Sequence, residues 1–273
     1  MKNMNSRQGD NKKSICHLSH KHNAQDTRIF YREAISLKEE GFAVKIIALH
    51  DCDERIKDIK IFSLSTRLFS QRGFLSILTL GFLALREKSD VYHFHDPQLL
   101  IMGILLKTFT SAKVIYDVHE DYPKKIKHKI SHSKIVPFSN LVGEVLSQLT
   151  SKLEAAASRI FDKVIVALED IGSHFPEEEV IVLHNYPRFN NSPISRSQGI
   201  LKGTTINLIY AGGISKSYGI HKIVESLHIL DDYNIRFKLL GIINDNYQKK
   251  LESLWGYSLV DFEGWIPPDQ VQQ

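Results

Sequence analysis

Short apolar runs alternate with helix-length amphipathic segments along most of this chain, and that alternation narrows its fold more than any other feature. Ser14–Leu18, Ala43–Leu49, Ile59–Leu64, Val91–Phe94, Lys113–Tyr116, Lys163–Leu168 and Val180–Leu183 all read as strands. Between them, Arg28–Glu40, Phe74–Arg86, Leu99–Lys107 and Asn140–Phe161 carry helical periodicity, with a short helix around Ile171. Asp26 or Thr27 can cap the first helix, and Gly41 ends it. Strands that alternate with helices pair in parallel through right-handed crossovers. The expectation is an α/β fold built on a doubly wound parallel sheet.

From Tyr186 to Thr205 the pattern dissolves into YPRFNNSPISRSQGILKGTT, a linker composition. A second α/β pattern follows. Ile206–Tyr210, Arg236–Leu240 and Leu259–Phe262 read as strands, and Ile220–Leu230 and Asp245–Leu254 as helices. Pro267-Pro268-Asp269 resembles a helix start. The expected organisation is a flexible tail over 1–13, a Rossmann-like domain over 14–185, a linker over 186–205 and a partial Rossmann-like domain over 206–273. Three strands fall short of a complete nucleotide-binding domain, so the chain reads as a C-terminally truncated two-domain architecture.

Composition excludes several other classes. Hydrophobic residues make up 42% and charged residues 24%, as in a globular protein. The net charge of +4 is mild, and no aromatic-basic motif points to nucleic acid. Cys16 and Cys52 stand alone without CxxC spacing, which argues against a zinc ribbon and fits a reducing compartment. The opening MKNMNSRQGDNKK has no apolar core of a signal peptide. The most apolar run, Phe74–Leu85, is well short of the ~20 residues that span a bilayer, and reads as a buried helix. A cytoplasmic protein is expected.

In a parallel sheet, chemistry collects where strands emerge at their carboxyl ends. Asp90–Pro123 holds two such ends, and both carry His and acid: His95-Asp96 and Asp117-Val118-His119-Glu120-Asp121. In strand order 3-2-1-4-5, the loop after the first strand, with His20, His22, Asp26 and Arg28, opens on the same edge. His119, beside three acids, reads as a functional group and His93, inside a strand, as a packed core histidine. A rival is a metal-dependent hydrolase using the His93-Phe94-His95 spacing with His119 or His184. It is set aside, because residues two apart share one strand face and helices should cover that face; no metal is expected. In the second unit, Gly212 and Gly213 follow a strand, Gly219 opens a helix and Lys216 adds charge, as at a phosphate-binding turn. After Pro123 the periodicity lapses. Lys124, Lys125, Lys127, Lys129 and Lys134 then read equally well as a solvated basic loop or as a surface for anionic lipid headgroups.

The stretches DTRIFYREAISLKEEGF, DVYHFHDPQLL, VIYDVHEDYP, HNYP, IYAGGISKSYGI and VDFEGWIPPDQV together resemble retaining glycosyltransferases of family 4. These are two-Rossmann enzymes of the GT-B fold, and the chain is most similar to bacterial members that build capsule, O-antigen or other surface polysaccharides. The resemblance implies transfer from a nucleotide-diphosphate sugar to a lipid-linked or polysaccharide acceptor at the inner membrane face, with no cofactor. It places the family's donor-side histidine on His119 and the diphosphate turn on Gly212, Gly213, Lys216 and Gly219. Acceptor and cleft contacts fall to Asp26, Arg28, His95, Asp96 and Glu120. Two departures stand out. The diphosphate-clamping cations of many members are replaced here by Gly213 and Tyr218, and the paired glutamates of the family lie beyond Gln273. Weak or absent transfer by this polypeptide alone is therefore expected, and a non-catalytic remnant or acceptor-binding subunit is the alternative. A nucleotide-sugar epimerase on the same plan fits the motifs less well.

Overall fold

A computed structural model describes residues 12–64, 74–132, 137–186, 205–230 and 233–266. It divides into two compact units, one ending at Arg188 and the other beginning at Phe189. Lys134, most of the expected linker and Pro267-Pro268-Asp269 lie outside the described residues.

The first unit is built on one sheet. Its strands are β1 (Ser14–Asn23), β2 (Ala43–Leu49), β3 (Glu54–Ile56), β4 (Ile59–Ser63), β5 (Val91–Phe94), β6 (Lys113–Val118), β7 (Lys163–Val166) and β8 (Val180–Val182), in the order β3-β4-β2-β1-β5-β6-β7-β8. All neighbours pair in parallel except the β3–β4 edge hairpin. The direction of winding reverses between β1 and β5, so ligand chemistry is expected at the carboxyl ends of these strands. Their register sets His17 beside His93 and Phe94 beside Tyr116.

Helical segments cover the sheet. Thr27–Ala34 is wound as a π-helix capped by Asp26, and α1 (Ile35–Glu39) continues it. Then come α2 (Phe74–Glu87), α3 (Leu100–Phe109), α4 (Tyr122–Ser131), α5 (Ser139–Ser158) and α6 (Glu169–Gly172). On one face Leu80, Phe94, Met102, Tyr116, Phe161 and Val164 form the main core, while Phe30, Ile46 and Ile61 anchor a second cluster.

Two expectations need correction. The run Phe74–Leu85 is helical but only half buried. Leu80 and Ala84 face the sheet, whereas Phe82 is 65% exposed, because one stripe of a helix suffices to cover two strands. The basic stretch after Pro123 is α4 rather than a loop. Asp121 caps it by accepting from the Lys124 N–H at 2.9 Å, and Pro123 sits in its first turn, where a missing N–H costs nothing.

The second unit is a three-stranded parallel sheet in the order β11-β10-β9, from β9 (Ile206–Ala211), β10 (Ile235–Leu240) and β11 (Val260–Gly264). With α7 (Ile220–Leu227) and α8 (Asp245–Glu252) it encloses a core of Ile220, Val224, Leu227, Phe237, Leu239 and Leu251. Leu208 and Ile209 of the edge strand β9 remain exposed.

Candidate functional site

Four ionisable groups surround Asp117 at the carboxyl end of β6: Arg28 from the π-helix, His93 and His95 from the β5 end, and His119. The Asp117 carboxylate is fully buried and accepts from Arg28 through Nε at 3.1 Å and Nη2 at 2.8 Å. Its Oδ2 also faces His95 Nδ1 at 3.2 Å and His119 Nε2 at 3.1 Å. These two ring nitrogens lie 3.0 Å apart. Because an ionised carboxylate only accepts, both nitrogens carry the proton they point at it. Burial works against the charge on Asp117, but the bonds from His119 and His95, with His93 Nε2 close by at 3.6 Å, outweigh it and hold the acid well below the usual carboxylate range.

Behind this layer the polar cluster continues inward. His95 Nε2 meets His17 Nδ1 at 3.0 Å, and the rings of His93 and His95 stack with centroids 4.6 Å apart. Burial, with His93 adding to it, takes His95 down to about 3, and burial takes His17 well below its ordinary value, so both are neutral. Glu33, from the π-helix, lies 2.9 Å from Arg28 Nε, and burial together with Asp117 pushes its carboxyl up to about 10.

The expected site residues separate into groups. Arg28, His95 and His119 converge on Asp117. Asp96 is buried next to this group but organises the β1 end, accepting from Ser19 Oγ and the His20 N–H at 2.8 Å each. Asp26 caps the π-helix, accepting from the N–H groups of Arg28 and Ile29, and pairs with His22 at 3.4 Å. Glu120 points outward and pairs with Lys125, outside the cluster. His93 is buried in the core as expected, but it lies between His17, His95 and Asp117 and its Nε2 lacks the hydrogen bond a packed core histidine would make. The face expected to be covered by helices is covered by the π-helix, which presents Arg28 and Glu33 to it.

Strand-end reasoning misses His17 and Glu33 outright, and it sees Asp117 and His93 without placing them at the centre of the cluster. The signal is the alternation His93-x-His95 and Asp117-x-His119, which in a parallel register stacks polar groups on one sheet face with His17.

In the second unit, Gly212 and Gly213 form an exposed turn after β9, and Lys216 is exposed in the next turn. Gly219, at φ 72°, is in the left-handed region glycine favours and starts α7. Packing alone accounts for part of this pattern. A side-chain carbon at Gly241 would sit 1.8 Å from the Gly212 carbonyl oxygen, so the turns after β9 and β10 touch backbone to backbone. At the start of α7 the His221 N–H already donates to the Tyr247 hydroxyl at 3.1 Å.

No known protein family matches the sequence, and no curated protein does either. Solved structures do match by fold. Sucrose-phosphate synthase from Thermosynechococcus elongatus superposes with a TM-score of 0.63 at 14% identity, covering 94% of this chain and 71% of that one. HepE from Anabaena, solved with UDP and glucose, gives 0.57 at 13% identity, covering 93% of this chain and 70% of its own. A glycosyltransferase from Rickettsia africae gives 0.53 at 13%, covering 94% and 69%. At these identities the likeness establishes the fold: two parallel-sheet α/β units of the GT-B type, the second one small.

Proposed function

We propose that this chain is a glycosyltransferase of the retaining, family 4 type, taking a sugar from a nucleotide-diphosphate sugar to a lipid-linked or polysaccharide acceptor. The observation that carries the reading is the Arg28–Asp117–His119 arrangement at the carboxyl end of β6, on a fold shared with glycosyltransferases, one of them solved with UDP and glucose. Asp117 fixes His119 with its Nε2 proton inward. The lone pair of Nδ1, which has no hydrogen-bond partner among the described residues, is then free to accept from a sugar hydroxyl. In this role His119 orients the donor sugar and stabilises positive charge growing near its anomeric carbon, while positioning supplies most of the rate. Gly212, Gly213, Lys216 and Gly219 would face the departing diphosphate, and Asp26, Arg28, His95, Asp96 and Glu120 would line or support the acceptor side. No metal takes part in the transfer step.

A lipid-linked acceptor agrees with the surface of the first unit. Phe82, Ile101, Phe109 and Leu149 are exposed on α2, α3 and α5, and α4 carries Lys124, Lys125, Lys127 and Lys129. A peripheral position on the inner membrane follows from this reading, since no helix among the described residues is long and apolar enough to cross a bilayer. Capsule or O-antigen synthesis would be the setting.

The test is transfer of radiolabel from UDP- and GDP-sugars to a lipid-extracted acceptor fraction. His119→Ala should lower kcat by about 100-fold or more in protein that remains folded. Wild-type turnover in that variant would remove His119 from the mechanism.

A second reading, a non-catalytic acceptor-binding protein, is favoured by the Gly212–Gly241 backbone contact, which explains the glycine turn without a diphosphate. Calorimetric titration separates the two, because donor binding to the purified chain excludes the second.

A further inference from the structure

We propose that His17, Glu33, His93 and His95 form a buried tetrahedral site for a divalent transition-metal ion of the zinc type. One donor atom from each of the four lies within 4.8 Å of all the others. A zinc ion with bonds of about 2.0–2.2 Å places its ligands about 3.3–3.5 Å apart. Two separations in the cluster bracket that value: His17 Nδ1 to His95 Nε2 at 3.0 Å and His17 Nδ1 to Glu33 Oε2 at 3.9 Å.

Two further observations point to a ligand. Nε2 of His93 and Oε2 of Glu33 are buried without a hydrogen-bond partner, an arrangement that costs free energy unless something is bound there. His95 is also already arranged as a ligand. Its Nδ1–H is directed at the Asp117 carboxylate, which leaves the Nε2 lone pair facing the cluster, the usual second-sphere support of a metal-bound histidine. Three imidazoles and one carboxylate suit zinc, and cobalt or nickel as substitutes, better than magnesium or calcium.

A cavity of about 600 Å³ lined by Ile15, Arg28, Glu33, Val91, His93 and Ile115 gives an ion a way in. Four protein donors in a buried setting leave no open position for water, so the ion would hold structure and would not activate a nucleophile. It would clamp β1 and β5 to the π-helix, and through His95 it would fix the side of Asp117 that holds His119.

The purified 273-residue chain, dialysed against a chelator, is titrated with Co²⁺ and then with Zn²⁺. The expected result is one Co²⁺ per chain with the intense visible absorption of a tetrahedral ion, displaced by Zn²⁺ and lost in His17→Gln/His93→Gln. An exposed histidine pair away from the cluster, His128 and His132, whose rings stack at 4.3 Å, serves as the control. Binding that survives His17→Gln/His93→Gln and disappears in His128→Gln/His132→Gln overturns the proposal, and so does failure of the wild type to retain metal. Should the double variant not fold, X-ray absorption on zinc-loaded wild type decides. Three imidazoles with one carboxylate oxygen support the site, and fewer than three imidazoles refute it.

Discussion

Arg28 reaches across 89 residues of sequence to grip both carboxylate oxygens of Asp117, at 3.1 and 2.8 Å, where neither side chain is more than 7% exposed. Each charge carries its own desolvation penalty, which the pairing offsets, and removing one partner leaves the other buried and uncompensated. Arg28→Met or Asp117→Asn should each cost about 3–5 kcal/mol of stability. The double variant should cost clearly less than the sum, because the second change removes a charge that the first has stranded. Urea unfolding of the four proteins measures this coupling, and strict additivity would show that the pair is not a unit.

The same pair shows how far the sequence can be read. Arg28 and the acid burst at Asp117–Asp121 are both visible as candidates, because each sits where a strand pattern meets a polar loop. That they touch depends on β1 lying two strands from β6, with β5 between them, and on a π-helix aiming Arg28 inward. The π-helix is only eight residues long, too short for its apolar pattern to be told from that of an α-helix by periodicity. The β3–β4 hairpin is hidden for a related reason. Its turn residues Lys57 and Asp58 have φ of 48° and 62°, yet no glycine marks a turn that needs positive φ at both positions. Strand order and most element positions, by contrast, are legible because parallel sheets demand continuous apolar strands at regular spacing.

Gly103 and Gly81 lie against the same core but should respond differently to alanine. A methyl at Gly103 would come within 2.6 Å of the Phe94 ring and 3.0 Å of Phe161, two packed aromatics with nowhere to move. At Gly81 the nearest atoms, at 2.2 and 2.5 Å, are the terminal methyl and sulfur of Met102, whose flexible chain can turn aside. Gly103→Ala should therefore destabilise by about 1–3 kcal/mol, and Gly81→Ala by less. Thermal melts of the two variants in one buffer check the order, and the reverse order would contradict it.

Tyr116 donates its hydroxyl to Glu154 at 2.6 Å beneath α5, with both groups buried. Burial holds the Glu154 carboxyl above its ordinary value, and the bond from Tyr116 works in the opposite direction. Tyr116→Phe keeps the ring stacked on Phe94 but strands the Glu154 oxygen, at a cost of about 1–3 kcal/mol. Adding Glu154→Leu should recover much of that loss, because an apolar pair needs no partner. Chemical denaturation of the single and double variants supplies the comparison.

Asp162 links α3 to the start of β6. Its carboxylate accepts from Lys107 at 2.6 Å, Lys113 at 2.8 Å and the Val114 N–H at 2.9 Å. Partial burial raises the carboxyl, but the bonds from the two lysines and the amide outweigh it and hold the group at about 2, below the ordinary 3.8. A folded-state value below the unfolded one means that the unfolded chain takes up the proton first as pH falls. The stabilisation is therefore complete above about pH 5 and is lost as the pH drops through 4 towards 2. Asp162→Asn should melt below wild type at pH 7, and the gap should narrow steadily on acidification through that window. Melting curves from pH 7 to pH 2.5 test the sign directly: a gap that stays constant or widens towards low pH would mean that Asp162 is not held ionised by its three donors.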